Sequence, residues 1–534
     1  MKYLGRIIIA VLLLAPLVDA YAVSPHPDLI RKWKENGTYD KKIAQYDERE
    51  RVRAFRSAKI SPAAKSFPKT GDRRVLVVLV QFAESADAKG GLPFPVFPFA
   101  GMFLFAAGTC ALVVRFKQNG RFTHGSAGAA VFLMMISVLC VSTQGCGGNS
   151  SGSESALFSP VSSKSFYQNL FEGGDDSQLT WRKYFKDMSN NALNLSFDIY
   201  GPYTASHNHD YYGANDSYGN DRLPDILAEE AVTMLVNDIG SQVDFSDYDY
   251  DEDGYIDSFT IIHQGAGEEV SGSDNDIWSH QFGISGVSSD GVRFGNYAML
   301  PEYMYEPGDS TIGVFCHEFG HILGLPDLYD TSHKTEGVGR WSLMGSGSWN
   351  GPEGNGAVPA PLLAWERIIF TWASPDTLIP GASVQTTSVG DLDATFKAVW
   401  IPLGDPGDMQ YLLAQNVILK PGSWSEYLPG EGLLVSRIDS NYTLSTFLSN
   451  NTVNAKAVHG ITILEADGRS DLWKGLNRGD STDLYYPGNA TSITPTTVPN
   501  THYTIPGTTN TKATGISITD ISRAGSMMTF SYSK

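Results

Sequence analysis

The chain has 534 residues, of which 42% are hydrophobic and 18% charged, so it exceeds one core and has enough apolar content for two or three folded domains. A formal net charge of -19 argues against nucleic acid as a partner, because phosphate binding rests on clustered Lys and Arg. The four cysteines, Cys110, Cys140, Cys146 and Cys316, do not form the pattern of a disulfide framework, so stability has to come from ordinary cores and bound ions.

Lys2 and Arg6 precede an apolar run at residues 7–17 and a small-x-small site at Ala20-Tyr21-Ala22. That order predicts a signal peptide over residues 1–22, cut after Ala22. Residues 23–70 are polar, with a helix-like charged run at 29–56, and read as a propeptide. The β-branched run Val75-Leu76-Val77-Val78-Leu79-Val80 predicts a buried strand.

An apolar insertion follows at about residues 88–155. Its stretches 97–114 and 126–142 are each near the lower length of a membrane helix, and the loop between them carries Arg115, Lys117 and Arg121. With an exported N-terminus, a two-helix hairpin leaves this basic loop on the cytoplasmic side, so one reading is membrane association through residues 97–142, and the other is an apolar insertion that packs on the protein or is not a regular part of the mature chain.

Beyond the insertion, residues 163–170, 180–188 and 223–239 read as helices, and 193–199 and 258–263 as strands. Between them, Asp249, Asp251, Asp253 and Asp257 stand at positions one, three, five and nine of a loop with Gly254 at six and the Tyr255 carbonyl at seven. This predicts a structural Ca²⁺, although Thr260 replaces the closing Glu of an EF-hand. After Trp372 the helical period gives way to strands at 411–418, 432–438, 461–464 and 527–532, hence a β-rich, sandwich-like C-terminal domain.

The chemistry concentrates in Cys316-His317-Glu318-Phe319-Gly320-His321-Ile322-Leu323-Gly324-Leu325-Pro326-Asp327. On a helix, His317 and His321 are one turn apart on one face, so both imidazoles can meet one ion. Glu318 sits beside the first histidine, placed to hold a water without ligating the metal. Gly324 permits a positive-φ helix end and Pro326 discourages continuation, so the chain can return a carboxylate to the same ion. Asp327 is the expected third ligand, with Asp330 and His333 as nearby alternatives. Met344, in a Gly-flanked turn, is a candidate apolar floor beneath the ligands.

On this motif, on Leu343-Met344-Gly345-Ser346-Gly347 and on Pro361-Leu362-Leu363-Ala364-Trp365, the chain resembles the immune inhibitor A-type secreted metallopeptidases, a metzincin-like family. Pro25-His26-Pro27-Asp28 and Leu464-Glu465-Ala466-Asp467-Gly468 extend the resemblance to both ends. It implies an α+β fold, with a metzincin-like zinc peptidase domain at 71–375 and the β-rich domain at 376–534. It also implies one catalytic Zn²⁺ on His317, His321 and Asp327, with Glu318 as general base and Met344 as the Met-turn residue.

The expected function is that of an exported zinc endopeptidase acting on polypeptides, secreted or membrane-anchored. The rival reading is a catalytically inactive surface or extracellular binding protein that retains the fold. Two departures stand out: no Tyr lies two positions after Met344, and the apolar insertion interrupts the link between first strand and first helix.

Overall fold

The computed structural model describes residues 21–43, 67–83, 117–118, 121–122, 159 and 161–534, except 218, 285–286, 379–383, 405–408, 444–450, 456–458 and 505–509. Residues 84–156 form a compact unit separate from the rest of the chain. Within that unit the backbone is described at Lys117–Gln118 and Arg121–Phe122, which pair as an antiparallel hairpin inside the expected basic loop. The apolar run at 7–17 and the stretches 97–114 and 126–142 lie outside the described residues. Among the described residues, no helix is long and apolar enough to cross a membrane.

The main unit is built on a six-stranded sheet. Its strands are β1 (Tyr21–Ala22), β2 (Gly71–Gln81), β3 (Leu193–Thr204), β4 (Phe259–Ala266), β5 (His280–Gly283) and β6 (Asn296–Tyr303), in the order β1-β5-β6-β4-β2-β3. Strands β3, β2, β4 and β6 run parallel, whereas β5 is antiparallel to β6 and β1 antiparallel to β5.

The apolar run of β2 divides between two cores, as the period of a strand requires. Val75, Val77 and Leu79 enter one core, and Leu76, Val78 and Val80 the other. The first core also receives α2 (Lys164–Glu172), α3 (Trp181–Met188) and the fully buried α6 (Ile312–Ile322). The second receives α4 (His209–Gly213) through Tyr212 and α5 (Pro224–Ile239) through Leu227, Ala228, Ala231, Val232, Leu235 and Ile239. Thr180 and Ser163 cap α3 and α2 by accepting from the N–H groups of Lys183 and Phe166, which fixes where these helices begin.

Two observations bear on the N-terminal expectation. The helix-like run read over 29–56 begins two residues earlier and breaks off early: α1 spans Pro27–Glu35, Gly37 follows with φ +66°, and residues 44–56 lie outside the described residues. Glycine at positive φ ends it through an ordinary helix stop. This segment is docked on the main unit: Leu29 and Trp33 form a small cluster with Trp278, whose indole N–H donates to the Val23 carbonyl at 3.0 Å. Tyr21 and Ala22, the last two residues before the expected cut, pair with Gln281 and His280 at the sheet edge.

The C-terminal region adds a five-stranded sheet with order β7 (Ser374–Thr377), β9 (Lys397–Pro402), β10 (Gln410–Val417), β11 (Gly432–Asp439), β12 (Ile461–Ile463). A three-stranded antiparallel sheet joins β8 (Gln385–Gly390), β14 (Met527–Ser533) and β13 (Ser517–Thr519). Strand alternation again explains the packing. Val399, Ile401, Leu412 and Ala414 face a core shared with Met528, Phe530 and Tyr532 of the small sheet. Ala398, Trp400, Tyr411 and Leu413 belong instead to the core that contains α6. The five-stranded sheet thus shares one buried core with α6.

Candidate metal centre

All eleven residues of α6 are buried. The helix ends at Leu323, where Gly324 (φ +95°) donates to the His321 carbonyl and Leu325 to the Gly320 carbonyl, at 2.8 and 2.9 Å. These paired bonds with glycine in the left-handed region reverse the chain and bring residues 325–328 back beside the helix. Leu328 N–H then donates to the Met344 carbonyl at 2.7 Å, tying this loop to the turn beneath it.

Both imidazoles are oriented by backbone oxygens. His317 Nδ1 lies 3.0 Å from the Leu343 carbonyl and His321 Nδ1 2.8 Å from the Leu325 carbonyl. A carbonyl only accepts, so each Nδ1 carries the hydrogen and each Nε2 presents a lone pair. The Nε2 atoms are 3.2 Å apart, and Asp327 Oδ1 lies 3.1 Å from one and 3.3 Å from the other. Three electron-pair donors therefore face one another in a buried space. Without a cation this packing is repulsive, and with one it is a tridentate N,N,O ligand set. The residues fit a divalent metal.

Charge around the site agrees. Burial lowers the pKa of His321 and keeps its ring neutral, as a ligand must be, with Asp327 opposing that shift. Glu318 is buried on the helix between the two ligands.

Met344 is fully buried under α6, where a Cβ on Gly320 would lie 2.6 Å from its sulfur. The Leu343 carbonyl that orients His317 belongs to the same turn. The two alternatives for the third ligand are otherwise engaged. Asp330 accepts from Ser332 N–H, Ser332 hydroxyl and Thr335 N–H, closing a local turn. His333 stacks on Tyr329 at 5.8 Å and stands outside the cluster formed by His317, His321 and Asp327.

Sequence reasoning missed two residues here. Tyr329 lies with its ring nearly parallel to that of His317, centroids 6.4 Å apart. Asn451, from the β-rich layer, holds Asp327 through two hydrogen bonds of 2.7 and 2.6 Å. A separation of 124 residues leaves no local signal for that contact.

The expected cation loop forms a second cluster, in which Asp249, Asp251 and Asp253 carboxylates converge. Gly254, at φ +87°, donates to Asp249 Oδ2 at 2.8 Å, and Tyr255 N–H donates to Asp253 Oδ1 at 3.0 Å. Asp257 is turned to the Tyr250 N–H at 2.6 Å and stands outside the three-carboxylate group. A short 3-10 turn, Phe245–Tyr248, precedes the loop and strand β4 follows it, so the flanking helices of an EF-hand are absent here. Thr260 is buried within β4.

A mixed sheet thus carries two helix-borne imidazoles and a carboxylate that converge above a methionine turn, the donor set of a candidate metal centre. Residues 151–371 match the family described as immune inhibitor A peptidase M6, catalytic domain. This segment is similar to that catalytic domain and holds every residue of the centre except Asn451. Among curated relatives, the pre-pro-metalloprotease PrtV of Vibrio cholerae serotype O1 (strain M66-2) is 34% identical over 215 residues, 35% of this chain and 23% of that protein. Immune inhibitor A of Bacillus thuringiensis subsp. alesti is 29% identical over 228 residues, 36% of this chain and 33% of that protein. The chain thus spans a third or less of the length of either relative.

Proposed function

We propose that this chain is an exported zinc endopeptidase with a metzincin-like catalytic domain, in which His317, His321 and Asp327 hold the metal and Glu318 is the general base. The observation that carries the reading is the convergence of both Nε2 atoms and Asp327 Oδ1, with each Nδ1–H committed to a backbone carbonyl. Zinc bound there supplies a Lewis acid that acidifies water and polarises a peptide carbonyl.

The remaining work falls to the protein. Glu318 takes a proton from the attacking water on a carboxylate oxygen as the new carbon–oxygen bond forms. It then delivers that proton to the amine nitrogen as the carbon–nitrogen bond breaks. Leu343 and Leu325 carbonyls keep the imidazoles in the ligating tautomer throughout.

Two further assignments accompany this reading. The loop of Asp249, Asp251 and Asp253 takes a structural Ca²⁺, with the Tyr255 carbonyl and Asp257 completing or supporting it. The docked segment 23–43 acts as a pro-segment. It is held by Leu29 and Trp33 packed on Trp278 and by the Trp278 indole on the Val23 carbonyl, and with no cysteine between residues 23 and 70 its action does not use a thiolate on the metal.

The deciding experiment compares casein hydrolysis by processed protein with its Glu318→Gln variant, with and without a zinc chelator. Turnover lost in both controls, with zinc still bound to the variant, supports the peptidase. Zinc-loaded, processed protein without turnover would favour the binding-protein alternative.

A further inference from the structure

We infer that Asn451, a residue of the β-rich layer outside the family-matched segment, is the positioning residue that orients the third metal ligand. The inference rests on the metal reading above and adds to it a device supplied by the C-terminal region. Asp327 N–H donates to Asn451 Oδ1 at 2.7 Å, and Asn451 Nδ2 donates to Asp327 Oδ2 at 2.6 Å. The amide thereby grips both the backbone and the outer carboxylate oxygen of one residue. With Oδ2 engaged, the carboxylate turns Oδ1 toward the two imidazoles, at 3.1 and 3.3 Å. Both residues are buried, so water does not substitute for either bond.

The choice of asparagine follows from these demands. One partner is a donor and the other an anionic acceptor, and a carboxamide meets both at once. Asn451 also has φ +47°, in the left-handed region that Asn tolerates better than most non-glycine residues. A second asparagine extends the clamp: Asn454 Nδ2 donates to the Leu328 carbonyl at 2.8 Å, and its Oδ1 accepts from Ile461 N–H at 3.1 Å. Asn451 and Asn454 therefore fix residues 327 and 328 from outside the family-matched segment. The shared core between α6 and the five-stranded sheet holds the two parts in register.

Three variants separate orientation from bulk structure. Asn451→Asp keeps size and φ tolerance but sets a carboxylate against Asp327 Oδ2. Asn451→Gly keeps the backbone and deletes the clamp. Asn454→Ala loosens the neighbouring carbonyl without touching Asp327. Zinc affinity is measured by competition with a chelator, and the ligand field by the visible spectrum of the Co²⁺-substituted protein.

The expectation is a loss of about 10–100-fold in zinc affinity for Asn451→Asp and Asn451→Gly, with an altered Co²⁺ spectrum. Asn454→Ala should show a smaller loss and a wild-type spectrum. Folded Asn451 variants with wild-type affinity and spectrum would overturn the clamp while leaving the zinc reading intact. Failure of both Asn451 variants to fold would overturn it in favour of a purely structural asparagine. Wild-type protein that takes up no zinc would overturn the metal reading and the clamp with it.

Discussion

Gly320 and Met344 meet across the floor of the metal centre: any Cβ at position 320 would stand 2.6 Å from the methionine sulfur. Mid-helix glycine costs about 1 kcal/mol relative to alanine, so its place here reflects close approach rather than helix preference. The turn that contributes Met344 also contributes the Leu343 carbonyl that orients His317. Displacing the sulfur therefore strains the turn that orients His317.

Gly320→Ala should accordingly lower stability despite the better helix former. Overpacking a closed core costs about 1–3 kcal/mol, more than the roughly 1 kcal/mol that alanine returns. Thermal unfolding of the metal-free protein and zinc affinity should both fall. A rise in the melting temperature with unchanged zinc binding would show that the floor yields freely.

Glu366 gives stability a pH dependence that can be isolated. Its carboxyl is buried and accepts from Ser342 hydroxyl and Leu363 N–H at 2.7 and 2.6 Å, and burial pushes its pKa up to about 7. A folded-state pKa above the unfolded value near 4.5 means that the native state holds the proton more tightly. The contribution is therefore full below about pH 4.5 and is lost as pH rises through about 7. It amounts to roughly 3 kcal/mol. Glu366→Gln removes the titration, so the stability of wild type minus that of the variant should decline between pH 4.5 and 7 and level off above. A difference that stays flat across this range would contradict the assignment.

The acidic loop offers a metal-specific readout. Adding Ca²⁺ to chelator-treated protein should raise its melting temperature, and Zn²⁺ should not reproduce the effect. Asp251→Ala removes one of three convergent carboxylates and should abolish the response. An equal calcium shift in that variant would place the ion elsewhere.

Trp33 anchors the N-terminal segment by burying its ring with Leu29 and Trp278. Trp33→Ala should weaken that docking by about 3–5 kcal/mol, the usual loss for deleting a buried indole. Limited proteolysis should then cut residues 36–43 faster, and Trp278 emission should change as its surroundings open. Under the pro-segment reading, casein hydrolysis by the unprocessed variant should rise. Faster cutting without any gain in hydrolysis would leave the segment a structural element only.

Local rules reached much of this molecule. The helices at 164–172, 181–188 and 224–239 follow from apolar period and caps, and the strands from alternation. The i, i+4 spacing of His317 and His321 and the glycine stop at 324 are also local. They place two candidate ligands and the chain reversal before any tertiary contact is known.

What the chain's order of residues determined by itself is the pair of imidazoles on one helical face, the neighbouring Glu318, and the reversal that returns a carboxylate. Which carboxylate returns was decided by tertiary structure, because Asp330 spends its oxygens on Ser332 and Thr335 while Asp327 is turned inward by Asn451. The tautomer of each imidazole was decided the same way, His317 through a carbonyl 26 residues downstream. The physical reason is range. Helical spacing and a positive-φ stop are set by bonds between residues a few positions apart. The Asn451 clamp and the Leu343 contact exist only once separate layers pack around one core.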